Sequence, residues 1–362
     1  LPHRLPLATQ VVEILKGKLR EGEWKGSLPA ERRLCDELQV SRKTLRTALD
    51  QLQRQGWLRM SSTRRRLITI RPARAARRET TGRVQILGAT PLDVVHQRFT
   101  VVLEDLQKQL YRAGLELQIA ISPRFGLHDC ARTLSKTVGQ MPADCWILWS
   151  VQRETHRWFA GRGLPSVVFG SCEADVPLPS VDIDNQAAAQ HAVDLLLAKG
   201  HKNIALLILQ SELAGYHQLE RGFSFAVQKL ERGRVTARIV HHDGTVEALC
   251  RTVESLLQSQ SSPTALVVSD ALEVLTVLGH LTRIGLRVPA DVSIISMGDD
   301  PCLRYVIPTV SRYALDPFAF ARQLARMVLQ TARDGPRRPM PVRIMPRFVA
   351  GGSVSAPRRL VT

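Results

Sequence analysis

From Val84 onward the chain alternates short apolar runs with longer amphipathic stretches, and this alternation constrains its fold more than any other feature. The runs at 84–89, 115–121, 145–149, 166–170, 203–209, 264–268 and 292–297 have the length of strands. Between and after them, 97–112, 186–199, 219–231, 245–258, 271–285 and 316–332 carry helical spacing. Alternating strands and helices bury both faces of a parallel sheet, so an α/β region is expected from Val84 onward. Its length admits one large domain or two smaller lobes, and composition alone leaves both open.

The first eighty residues have another texture. They hold 19 Lys or Arg against 8 Asp or Glu, a net of +11, while the other 282 residues hold 31 against 25, a net of +6. The excess of positive charge is therefore concentrated at one end, where a polyanionic partner is best sought. Leu7, Val11, Ile14, Leu15 and Leu19 recur at helical spacing and predict an amphipathic helix over 7–21. Pro29 suits the first turn of a second helix with Leu34 and Leu38 inward, and Glu31 complements its N-terminal charge. Ser41 can cap a third helix whose buried stripe is Leu45, Ala48, Leu49 and Leu52. Arg42, Lys43, Thr44, Arg46 and Thr47 are then left near its exposed start, where they could meet a major groove. Residues 57–60 and 66–70 suggest two strands, with Arg64, Arg65 and Arg66 at their tip. Such arginines could track phosphates or enter a minor groove; a merely solvated basic surface is the alternative.

The ordered run Leu28-Pro29-Ala30-Glu31-Arg32-Arg33-Leu34, Leu38, Val40-Ser41-Arg42, Thr44-Leu45-Arg46, Ala48-Leu49, Leu52 and Gly56 resembles, over roughly residues 6–71, the winged helix-turn-helix head of GntR-type bacterial repressors, and makes 1–71 the expected DNA-binding domain. The resemblance implies operator contacts from Arg32, Ser41, Arg42, Thr44 and Arg46, with Lys43 as a less specific neighbour. Where that family has a glycine-rich wing tip, this chain has Ser61-Ser62-Thr63-Arg64-Arg65-Arg66, a departure that points either to a stronger grip on phosphate or to a differently shaped hairpin and leaves its role in base readout open.

Residues 72–82 are rich in Arg, Ala and Thr and read as a basic linker. Beyond it, Val181-Asp182-Ile183-Asp184-Asn185, Lys199-Gly200-His201-Lys202-Asn203-Ile204-Ala205 and Glu220-Arg221-Gly222-Phe223 occur in order. They are followed by Ser269-Asp270, Gly285 through Ile295, and Gly298-Asp299-Asp300. This series resembles the effector domain of LacI/GalR-type regulators, itself similar to periplasmic sugar-binding proteins. The resemblance implies a two-lobed periplasmic-binding-protein-like α/β sensor domain over 83–354, a short tail at 355–362, and a small polar effector between the lobes, a sugar or sugar derivative first, with a purine or another polar metabolite as the alternative. It carries Arg221 and Asp299, and less securely Asp184, to ligand-contacting positions; a salt bridge closing one lobe is the competing role. Phe125, Trp146, Trp149, Trp158, Tyr216 and Tyr305 fall near strand ends or loops, where a ring could stack on a sugar or base.

The six cysteines show no paired metal-ligand spacing and read as thiols in a reducing cytosol, with no metal and no cofactor expected. No apolar run reaches a membrane-spanning length and no signal-peptide pattern is present, so a cytoplasmic protein is expected. No phosphate-cradling glycine loop, metal-binding His pair or nucleophile elbow occurs, and no catalytic residue is assigned. Asp182 and Asp184 would share one side of a strand, a spacing that also suits hydrogen bonding between lobes. The expectation is a homodimeric transcriptional regulator on near-palindromic double-stranded operator DNA, modulated by a small effector. An α/β enzyme with a DNA-binding head, or a receptor that no longer senses a ligand, are the alternatives.

Overall fold

In the computed structural model, the described residues are 7–21, 23–24, 27–54, 57–60, 66–68, 81–91, 97–127, 129–228, 235–336 and 340–358. The chain divides into two units, Leu1–Glu79 and Thr80–Thr362. Most of the basic 72–82 segment, and the tip residues Arg64 and Arg65, lie outside the described residues.

In the first unit α1 (Leu7–Glu21), α2 (Glu31–Leu38) and α3 (Arg42–Arg54) precede the antiparallel strands β1 (Leu58–Met60) and β2 (Arg66–Ile68). Leu15, Leu34, Leu45, Leu49 and Leu52 are almost completely buried together, because the leucine stripes of the three helices converge. Leu7 and Ile14, expected inward, are 55% and 49% exposed, and Val12 fills the core instead. Pro29 stands just outside α2, whose cap is Ala30, so it shapes the approach to the helix rather than its first turn. The turn from α2 to α3 is made by Gln39 at φ 54°, a left-handed C-cap that an asparagine or glycine would normally supply.

The second unit holds two six-stranded sheets. The first contains β3 (Arg83–Gly88), β4 (Glu116–Ile121), β5 (Cys145–Trp149), β6 (Ser166–Phe169), β7 (Ser180–Ile183) and β13 (Pro341–Ile344). Its order is β13-β7-β6-β5-β3-β4, and every pairing is parallel. The second contains β8 (Asn203–Leu209), β9 (Thr236–His242), β10 (Ala265–Val268), β11 (Ser293–Ser296), β12 (Ser311–Ala314) and β14 (Arg347–Val349). It runs β14-β12-β11-β10-β8-β9, with only the edge strand β14 antiparallel. The central strands β10 and β11 are buried at every position, as expected of strands covered on both faces.

The chain passes between the lobes three times: from β7 into α7 (Asn185–Ala198), from β12 into α11 (Pro317–Asp334), and from β13 to β14. Helix α11 packs on the first sheet beside α4 (Gln97–Arg112), whereas α7 packs on the second beside α8 (Ala214–Gln228). Asp184 and Asp316 cap the two crossing helices, accepting from Ala187 N–H at 2.9 Å and from Phe318 and Ala319 N–H at 2.9 and 3.1 Å. Asp184 N–H donates to Ile344 O at 2.9 Å, tying the first crossing to the third.

The remaining helices, among the described residues, are α5 (Ala131–Gln140), α6 (Arg153–Gly161), α9 (Val246–Leu257) and α10 (Ala271–Arg283). The expected tail begins with an anchored residue, since Ser355 O accepts from His201 Nε2 at 2.9 Å and Ser355 N–H donates to Ser293 Oγ at 3.1 Å.

Candidate nucleic-acid interface and effector cleft

At the head, Ser41 caps α3: Thr44 N–H donates to Ser41 Oγ at 3.2 Å, and the two hydroxyls lie 2.9 Å apart. The cap holds the helix start open to solvent, with Arg42 and Lys43 exposed and the Arg46 side chain 64% exposed. Arg32 is exposed on α2, the helix that precedes the turn. Glu31 organises this surface. Its Oε2 accepts from Arg46 Nε at 2.9 Å and its Oε1 from Arg66 Nη1 at 3.0 Å, while Arg66 Nη2 reaches Asp50 Oδ1 at 3.2 Å. Arg66 is thus 16% exposed and joins β2 to α2 and α3, a structural commitment the sequence did not indicate.

In the second unit a cleft of about 380 Å³ opens at the carboxyl ends of the parallel strands of both lobes, the position where open α/β sheets bind ligands. Trp149, Gly170 and Asp182 reach it from the first lobe, and Tyr216 at the start of α8, Ser269 and Asp299 from the second. One wall is a ladder of rings. Phe99 lies 4.0 Å from Trp149 and 5.1 Å from Phe169, with interplanar angles of 27° and 18°, and Phe169 lies 5.0 Å from Phe320.

Serines, Asn185 and Tyr216 line the cleft beside the acids Asp182 and Asp299 and the buried His156. Asp182 accepts the Ser171 hydroxyl, and desolvation pushes its carboxyl up to about 6 against the opposing pull of that hydrogen bond. His156 is 4% exposed, and burial pushes its imidazole down to about 4, leaving it neutral. Asp299 accepts from Arg312 Nε at 2.8 Å, with both side chains 13% exposed.

Of the three effector residues expected, the cleft takes in Asp299 and leaves the other two off its lining. Arg221 is 59% exposed and stands 3.7 Å from Glu173. Asp184 uses its carboxylate on the α7 cap, because the residue entering a crossing helix must satisfy that helix's free amides. Its neighbours Asp182 and Asn185 face the cleft instead. Of the aromatic residues singled out, Trp149 and Tyr216 line it, Trp146 and Phe125 are core, and Tyr305 is 88% exposed. Phe99, Phe169 and Phe320 were missed. Phe169, the last residue of an apolar strand, carried the one usable signal, since strand ends converge on the cleft.

Two family descriptions match: bacterial regulatory proteins of the gntR family over residues 7–67, and a periplasmic binding protein-like domain over 177–354. The chain is a GntR-type head fused to a periplasmic-binding-protein-like domain. The HTH-type transcriptional repressor CytR of Escherichia coli (strain K12) is 30% identical over 172 residues, 46% of this chain and 50% of its own length. The chain therefore spans half of that relative. The arabinose metabolism transcriptional repressor of Geobacillus stearothermophilus is 25% identical over 313 residues, 83% of this chain and 82% of its own. A LacI family transcriptional regulator from Enterococcus faecium, solved with bound ribose, shares the fold at a TM-score of 0.60 and 16% identity, covering 76% of this chain and 100% of that one. The GntR match ends at residue 67, so it includes Arg66 and the stretch before it that holds the unusual arginine-rich tip.

Proposed function

We propose that the protein is a DNA-binding transcriptional regulator whose GntR-type head grips operator DNA and whose cleft binds a small effector that alters that grip. The observation that carries this reading is α3: a helix fixed by Ser41 on one end and a buried leucine stripe on one side, offering Arg42, Lys43 and Arg46 outward. Long cationic side chains at the start of such a helix reach both phosphates and base edges. Arg46 arrives already oriented by Glu31, which lowers the entropy lost when its guanidinium binds. The names of CytR and the arabinose repressor, and the ribose held by the Enterococcus regulator, support the same reading by analogy.

The effector acts only if it binds two states of the receptor unequally, and a cleft between lobes joined by three crossings provides such states by opening and closing. Two heads in a homodimer would address the half-sites of a near-palindrome. Selection of duplexes from a random pool, followed by titration at several salt concentrations, tests the head. Arg42→Ala and Arg46→Ala should each weaken the selected duplex by about tenfold or more, and loss of a phosphate contact should reduce the salt slope by about 1. A pool that yields no retained duplex at low salt would sink the proposal.

A further inference from the structure

We infer that the effector is a planar aromatic molecule without negative charge, carrying one or two hydrogen-bonding groups, and not a polyhydroxylated sugar. The inference rests on the reading of the cleft as the effector site, and names the class of ligand it takes.

The ring ladder is the first ground. Trp149, Phe99, Phe169 and Phe320 succeed one another at centroid separations of 4.0, 5.1 and 5.0 Å, with Phe99 nearly parallel to both of its neighbours. All four line the cleft, so a flat ring entering it continues a stack already in place. The volume of about 380 Å³ holds a one- or two-ring compound.

The second ground is the shortage of polar partners. A buried sugar needs a donor or acceptor for nearly every hydroxyl, because each one left unpaired keeps its full desolvation cost. The serine hydroxyls on this lining are hydrogen-bonded within the protein and each carboxylate holds an internal partner, which leaves the Tyr216 hydroxyl, Asn185 and His156 to meet a ligand. Ser150 and Thr90 hydroxyls lie 2.6 Å apart, Ser269 donates to Glu273 at 2.7 Å, Ser171 donates to Asp182, and Asp299 holds Arg312. Among the described residues no lysine or arginine lines the cleft, and Arg221 lies off it beside Glu173. Asp299 is already paired with Arg312 and no described lysine or arginine lies on the lining itself, so the cleft presents no positive charge of its own to an anionic ligand.

What the cleft does offer is His156. It is almost fully buried, lines the cavity, and has an Nδ1 with no hydrogen-bond partner. A neutral imidazole supplies one donor and one acceptor, enough for a single ring nitrogen, amine or hydroxyl. Asn185 at the start of α7 is placed to meet a second such group.

Thermal unfolding of the full chain with indole, tyramine and adenine, set beside ribose, arabinose and cellobiose at equal millimolar concentration, tests the inference. At least one aromatic probe should raise Tm and quench tryptophan fluorescence, while the sugars leave both unchanged. Phe99→Ala should weaken that probe about tenfold, and Phe99→Tyr should retain it. Absence of any aromatic response, or a response to sugars alone, overturns the inference. Retention of a selected duplex is measured on the same protein, so the two claims fail separately. A chain that binds DNA and answers only sugars keeps the proposed function and loses the ligand class; one that binds aromatic probes and retains no duplex does the reverse.

Discussion

Replacing Gly222 with alanine should destabilise the second unit even though alanine is the better helix former. Gly222 sits in α8 where that helix crosses α7, and a Cβ there would stand 2.2 Å from the Gln186 carbonyl oxygen and 2.9 Å from both Gln186 C and Cα. The obstacle is backbone in the first turn of α7, a turn held by the Asp184 cap, so no side chain can swing aside. Helix propensity favours alanine by about 1 kcal/mol. Forcing a methyl into a close-packed interior costs about 1–3 kcal/mol, and more where backbone must shift. With a contact this short the upper end applies, leaving a net loss of about 2 kcal/mol, or roughly 4 °C in Tm for a domain of this size. Gly279 in α10 is the internal control, since a Cβ on it would meet nothing within 4 Å. Gly279→Ala should therefore stabilise by about 1 kcal/mol. Urea unfolding of the full chain, followed by far-UV circular dichroism, reads both. If Gly222→Ala proves as stable as the parent, or both alanines shift stability in the same direction, the close helix crossing does not govern this position.

Asp182→Asn should raise stability at neutral pH by on the order of 2–3 kcal/mol. The folded carboxyl titrates near 6 against an ordinary 3.8, so the native state holds a proton that the unfolded chain has released, and wild-type stability falls as pH rises through that interval. His156, held neutral down to about 4, tilts the profile the opposite way, with stability lost as pH falls from its ordinary 6.5, so the difference between parent and variant is the diagnostic; a flat difference curve would contradict the assignment. Ser41→Ala removes the α3 cap and should cost about 1 kcal/mol, read as roughly fivefold faster hydrogen exchange at the Thr44 amide; unchanged exchange would mean the hydroxyl contributes no cap. Arg312→Met leaves the Asp299 carboxylate without its counter-charge and should destabilise by about 3 kcal/mol, with recovery in the Asp299→Asn double variant. Equal losses in single and double variants would show that packing, not charge, holds the pair.

The helical head and the α/β layering were legible because they rest on local periodicity. Helices 7–21 and 97–112 and strands 145–149 and 203–209 fall where the apolar pattern puts them. Elements α5, α6, β9, β12, β13 and β14 were not marked. Strands such as Thr236–His242 and Arg347–Val349 lie at sheet edges, half exposed, and edge strands lack the continuous apolar run that announces a central one. The Glu220-Arg221-Gly222-Phe223 run was equally misleading in one respect: its structural weight falls on Gly222, which lets two helices touch, and not on the arginine.

By itself, then, the sequence determined two units, a basic head with a capped outward-facing helix and a layered α/β domain, because periodicity, capping residues and charge distribution act over a few neighbouring positions. Which of its charged residues face a partner was decided only by tertiary structure. Arg66 turns inward to Glu31 and Asp50, Asp184 serves a helix terminus, and Phe99, Phe169 and Phe320, up to 221 positions apart in the chain, meet in one wall. Such convergence depends on α4 and α11 packing side by side on the first sheet, to which α11 returns only by crossing from the other lobe, and no local pattern in the chain encodes that meeting.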